Sequence, residues 1–82
     1  MATATPTAAQ HLEWGWQAFA NADYEVALAE VATAVERDPA SAAAREARGS
    51  AYALLGAFDQ ALADFDQAIE LDPLMAVAYA DR

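Results

Sequence analysis

The sequence predicts an all-α fold, a right-handed α-solenoid of antiparallel helix-turn-helix repeats. Three observations predict it. Two Asp-Pro pairs, Asp38-Pro39 and Asp72-Pro73, lie 34 residues apart, and the stretches before them match position by position. Alanine, the best helix former, supplies 25 of the 82 residues, while three glycines and three prolines are too few for a chain of short strands and turns. The larger apolar residues recur at three- and four-residue steps, the spacing of one helix face.

The first helix is expected from Ala8 to about Ala20, because Thr7 and Gln10 have capping-box spacing. Asn21-Ala22-Asp23 then forms a turn, and Asp23 is expected to cap a second helix that Asp38-Pro39 stops after Arg37. Ser41 is expected to cap a third helix ending near Leu55, where Gly56 supplies a left-handed C-terminal turn. A fourth helix follows from about Phe58 to Leu71, closed by Asp72-Pro73. Leu74 to Arg82 would begin a fifth.

Under the 34-residue offset Gly15 falls on Gly49, Tyr24 on Phe58, Ala27 on Ala61, Leu28 on Leu62, Val31 on Phe65, Ala34 on Ala68 and Val35 on Ile69. Each pair exchanges one small or apolar residue for another. The predicted core is therefore Ala27, Leu28, Val31, Tyr52, Ala61, Leu62, Phe65, Ala68 and Ile69. Gly15 and Gly49 mark close approach of two helix backbones, which justifies a propensity cost of ~1 kcal/mol each. The organisation reads as an N-terminal extension with a helix cap (1–7), a first repeat (8–41), a second (42–75) and the truncated start of a third (76–82).

Composition narrows the function. A formal charge of −9 argues against nucleic acid or an anionic membrane surface, both of which need a basic footprint. No cysteine is present, so neither a disulfide framework nor a thiolate metal site is expected, and one histidine cannot build a zinc centre alone. No cofactor is expected. His11 beside Glu13 has no accompanying nucleophile and no His-Glu-x-x-His spacing, so a histidine at the end of a core stripe outweighs a catalytic one. Asp59, Asp64, Asp66, Glu70 and Asp72 lack the loop glycine and alternating ligands of a calcium site and read as a solvated face. The opening residues lack a basic start with an apolar run, and no stretch of 18 apolar residues is free of charge, so a soluble, cytoplasmic, non-enzymatic protein is expected.

The landmarks Arg48-Gly49-Ser50-Ala51-Tyr52, Leu55-Gly56-Ala57-Phe58-Asp59-Gln60-Ala61, Phe65, Ala68 and Ile69-Glu70-Leu71-Asp72-Pro73 fall in one order at one spacing. They resemble the tetratricopeptide repeat, over about Ala8 to Arg82. Departures are Ala18 and Val31, where the family prefers larger aromatic residues, Arg45, where tryptophan is common, and Arg48, where leucine is common.

The resemblance implies a protein-interaction module with a concave groove formed by the first helix of each repeat. Carried over, the groove residues are Ala9, Leu12, Glu13, Trp16, Phe19 and Ala20 from the first copy, then Ala43, Glu46, Ala47, Ser50, Ala53 and Leu54 from the second, with Val77, Ala80 and Asp81 beginning a third. Relatives that hold a chaperone's C-terminal carboxylate use lysine, asparagine and arginine where this chain has Leu12, Trp16, Ala47, Val77 and Asp81, so that clamp is absent. Glu13, Glu46 and Asp81 would repel a carboxylate, and an apolar or basic peptide or amphipathic helix is the expected ligand. The rival expectation is a structural self-assembly unit, a symmetric homodimer covering Trp14, Trp16, Leu74, Met75, Val77 and Tyr79, since repeats of this kind bury apolar faces against a neighbour.

Overall fold

A computed structural model describes residues 5–74 as four α-helices, α1 (Ala8–Ala20), α2 (Tyr24–Arg37), α3 (Ala42–Leu54) and α4 (Phe58–Leu71). Of the fifth helix expected over Leu74 to Arg82, Pro73 and Leu74 are helical, and the rest lies outside the described residues. Consecutive helices pack as pairs, α1 on α2 and α3 on α4; the pairs stack through α2 and α3, with α1 also touching α3.

The chain enters both pairs in the same way. Thr7 accepts a hydrogen bond from the Gln10 amide at 3.2 Å, and Ser41 accepts one from the Ala44 amide at 3.1 Å. Each satisfies an amide that the first helical turn leaves without an internal partner. The turns inside the pairs are also alike. Ala22 and Gly56 both have positive φ, 61° and 83°, and the amides of Asp23 and Ala57 donate to the carbonyls of Ala18 and Tyr52 at 2.9 and 2.8 Å. Asp23 does not cap α2 through its side chain, contrary to expectation. Its backbone (φ −88°, ψ 71°) is not extended, and Ala57 begins α4 with almost the same angles and no side-chain acceptor, so backbone geometry alone starts these helices. At the far ends Asp38 and Asp72 share φ −141°, an extended conformation that suits a residue before proline.

Small residues let the helices approach. A Cβ on Gly15 would stand 2.5 Å from Val31 Cγ1, and one on Gly49 would stand 2.8 Å from Phe65 Cε1 and 3.2 Å from the Ala61 carbonyl oxygen. The buried apolar residues are Ala18, Ala27, Val31, Ala34, Val35, Ala44, Ala47, Ala51, Ala61 and Ala68. With roughly 0.8 kcal/mol gained per buried methyl-sized group, such a core stabilises weakly per residue. Half-buried Leu12, Phe19 and Leu28, packed on Val31, Ala47 and Ala51, therefore supply much of the apolar contact.

Two expected core residues are not buried. Leu62 is 61% exposed and Ile69 39%, and on the same stripe Phe58 is 66% exposed. Leu28 and Val35, the α2 equivalents of Leu62 and Ile69, pack against α3; among the described residues no helix lies over α4 in that way. Leu28, Tyr52 and Phe65 are half-buried, and the remaining predicted core residues are buried.

Candidate concave binding surface

The described residues expected to line a groove sit on α1 and α3. Leu12 and Phe19 are half-buried because both rest on the core shared by α2 and α3. Phe19 carries Trp16 on one side, ring centroids 5.2 Å apart, and Tyr24 on the other at 6.4 Å. Trp16 itself is 47% exposed. Phe19 is thus held on the core while the Trp16 ring beside it is open to solvent, a geometry that offers contact area at little entropic cost. From α3, Leu54 is exposed while Glu46 and Ser50 are half-buried.

Two groove residues carried over from the sequence behave differently. Ala47 has no exposed surface, because α3 uses it with Ala44 and Ala51 to pack against α2, so it cannot touch a ligand. Glu13 is its repeat equivalent on α1, exposed on the side where no preceding helix packs among the described residues. It contributes charge at the rim. Of the residues expected to self-associate, Trp14 and Leu74 are exposed, and Met75, Val77 and Tyr79 lie outside the described residues, as do the groove residues Ala80 and Asp81.

Sequence reasoning missed a polar junction behind the groove. Asp64, expected on a solvated face, is 3% exposed. Arg48 donates to it twice, Nε to Oδ2 and Nη2 to Oδ1, each at 2.7 Å, and Arg45 Nη1 lies 3.9 Å from Oδ1. Donating to the Asp64 carboxylate raises the Arg48 pKa above its ordinary value against the opposing effect of burial. Arg45 also donates from Nε to the Pro39 carbonyl at 3.1 Å, tying α3 to the preceding loop. The first repeat holds a looser version at the same positions: His11 Nδ1 lies 3.6 Å from Glu30 Oε1, and the imidazole meets Trp14 edge-on at 5.2 Å. No nucleophile joins His11 there, and neither ring nitrogen has a hydrogen-bond partner among the described residues. The signal was present in the alignment, since Glu30 and Asp64 each sit between two buried alanines on the packed face of their helix.

Among the described residues no group of three or more histidine or acidic side chains converges to hold a metal ion. A family model described as a tetratricopeptide repeat matches residues 12–76. A protein named Protein SGT1 homolog, from Oryza sativa subsp. japonica, is 42% identical over 62 residues, which is 76% of this chain and 17% of that protein. The chain therefore spans about a sixth of the length of this curated relative.

Proposed function

Because the chain belongs to the tetratricopeptide repeat family, a family of protein-interaction modules, we propose that it is a non-enzymatic module that seats an apolar or basic amphipathic helix in its concave groove. Leu12, Trp16 and Phe19 form the anchor, and Ser50 and Leu54 extend it. The observation that carries this reading is Trp16, half exposed and stacked on a Phe19 that the core holds in place. An aromatic side chain presented in this way is the usual centre of a binding surface. Glu13 and Glu46 set the sign of the ligand: a carboxylate would meet like charge, whereas lysine or arginine beside the apolar contact would be attracted. Among the described residues no helix is long and apolar enough to cross a membrane, and the reading is of a cytoplasmic module.

The test uses two synthetic helical peptides with the same leucine face, one flanked by lysine and one by glutamate, titrated calorimetrically into the whole chain. The lysine peptide should bind at least tenfold tighter. Trp16→Ala should weaken it by at least about 2 kcal/mol, roughly thirtyfold, with the helical signal retained. Equal affinity for both peptides, or no effect of Trp16→Ala, would remove the groove from consideration.

The rival reading, self-assembly as a homodimer, has the exposed apolar residues of α4 and Leu74 in its favour and the charge of −9 against it. Light-scattering mass over a concentration series separates the two. A mass of one chain at hundreds of micromolar supports the binding module; a mass that doubles with concentration, and doubles sooner as salt screens repulsion, supports the rival.

A further inference from the structure

Trp16 is so exposed that its orientation depends on the few groups beside it. One is Phe19, a turn further along α1, whose ring plane is tilted by 37° from that of the indole. Phe19 rests on Val31, Ala47 and Ala51 and also meets Tyr24, with ring planes 48° apart. Both ring pairs have separations at which tilted aromatic rings attract. The turn delivers Tyr24 to this place. The Ala22 amide donates to the Phe19 carbonyl at 3.0 Å, the Asp23 amide donates to the Ala18 carbonyl, and Ala22 takes a left-handed φ. The chain thus reverses immediately after α1 and opens α2 with a ring that lies against the residue just passed. The second repeat lacks this arrangement. Under the 34-residue offset Trp16 falls on Ser50 and Phe19 on Ala53, so Phe58, the equivalent of Tyr24, has no ring at either place to support.

We propose that Tyr24 is a positioning residue for the groove: from the start of α2 it fixes the Phe19 ring, and through Phe19 the orientation of the Trp16 indole that a ligand meets. The assignment rests on the reading of Trp16 as the anchor. Its physical content is preorganisation. An exposed indole already held in one orientation loses less rotational freedom on binding than one that samples several, so Tyr24 strengthens binding without touching the ligand. The same logic explains why half-buried Tyr24 belongs to the helix pair that carries exposed Trp16, while the pair with Ser50 in that place needs no such support.

The test reads the free protein first. Nitrogen relaxation of the two indole groups in the whole chain gives an order parameter for Trp16, with Trp14, which meets His11 instead, as internal reference. Tyr24→Ala should lower the Trp16 value and leave that of Trp14 unchanged, whereas Tyr24→Phe, which keeps the ring, should match wild type. Tyr24→Leu, which keeps apolar bulk without a ring, should behave as Tyr24→Ala and decides the matter if alanine costs the helical signal. The lysine-flanked leucine peptide should then bind the alanine and leucine variants about threefold to tenfold more weakly, and Tyr24→Phe within about twofold of wild type. Unchanged Trp16 order in a folded alanine or leucine variant would overturn the proposal. So would weaker binding with Trp16 order retained, since Tyr24 would then touch the ligand itself, or loss of the helical signal in both variants, which would make Tyr24 a structural residue. A peptide that fails to bind wild type, with Trp16 order lost in the variants as expected, would overturn the groove reading and leave the ordering of Trp16 by Tyr24 standing.

Discussion

The junction between Arg48 and Asp64 gives an asymmetric prediction. Both oxygens of a nearly inaccessible carboxylate accept from one guanidinium, at 2.7 Å each, while the Arg48 side chain keeps 23% of its surface in water. Removing the arginine therefore strands a buried charge, whereas removing the aspartate leaves a cation that can rehydrate. Breaking a fully buried pair costs about 3 to 5 kcal/mol. Arg48→Met should fall at the lower end of that range, about 3 kcal/mol, because Arg45 at 3.9 Å can move toward Asp64 and compensate in part. Asp64→Ala should cost less, about 2 kcal/mol, after discounting for the solvent that reaches Arg48. The double variant carries neither stranded charge and should lie close to Asp64→Ala alone, a coupling of about 3 kcal/mol. Urea unfolding followed by helical circular dichroism measures all four corners; with a slope near ~1 kcal/mol per molar for a small domain, the single changes move the midpoint by molar amounts. Additive losses, with coupling below about 0.5 kcal/mol, would refute the reasoning and return Asp64 to the solvated face.

Other expectations follow from the same geometry. Gly49→Ala should destabilise by about 1 to 3 kcal/mol despite better helix propensity, because the new Cβ meets the Phe65 ring and the Ala61 carbonyl; a thermal melt at or above wild type would contradict this close approach. Ala22→Gly should stabilise by about 0.5 to 1 kcal/mol, since alanine is strained at φ 61°, and Gly56→Ala at φ 83° should lose a similar amount; a loss from Ala22→Gly or a gain from Gly56→Ala in urea titrations would show the turns are not equivalent. Val31→Ala should cost about 2 kcal/mol, while Leu62→Ala should cost under ~1 kcal/mol although the two share a helix-face pattern; equal losses would mean that α4 is covered.

Helix boundaries were legible because they depend on local chemistry. Thr7, Ser41, Gly56 and the two Asp-Pro pairs act within a few residues of themselves, so their effect can be read without knowing what packs above them. The exposure of Leu62 and Ile69 was not legible in that way. Periodicity says that these residues share a face, but whether that face is buried depends on a neighbouring helix, and α2 has one where α4 does not among the described residues. Ala47 shows the converse: carried over as a groove residue, it is used up by the contact of α3 with α2. Asp64 was misread because charge is normally solvated, and only the pairing with Arg48 across the helix pair reverses that expectation. The aromatic residues of α1 were visible from the sequence, but not that Phe19 would be held by the core while Trp16 stayed open.

Amide chemical-shift mapping of the whole chain with the lysine-flanked leucine peptide tests the groove most directly. The binding reading predicts saturable shifts at Leu12, Phe19, Ser50 and Leu54 and at the Trp16 indole, with Trp14 and the exposed face of α4 unmoved. Saturable shifts centred elsewhere, with the Trp16 indole unchanged, would contradict it.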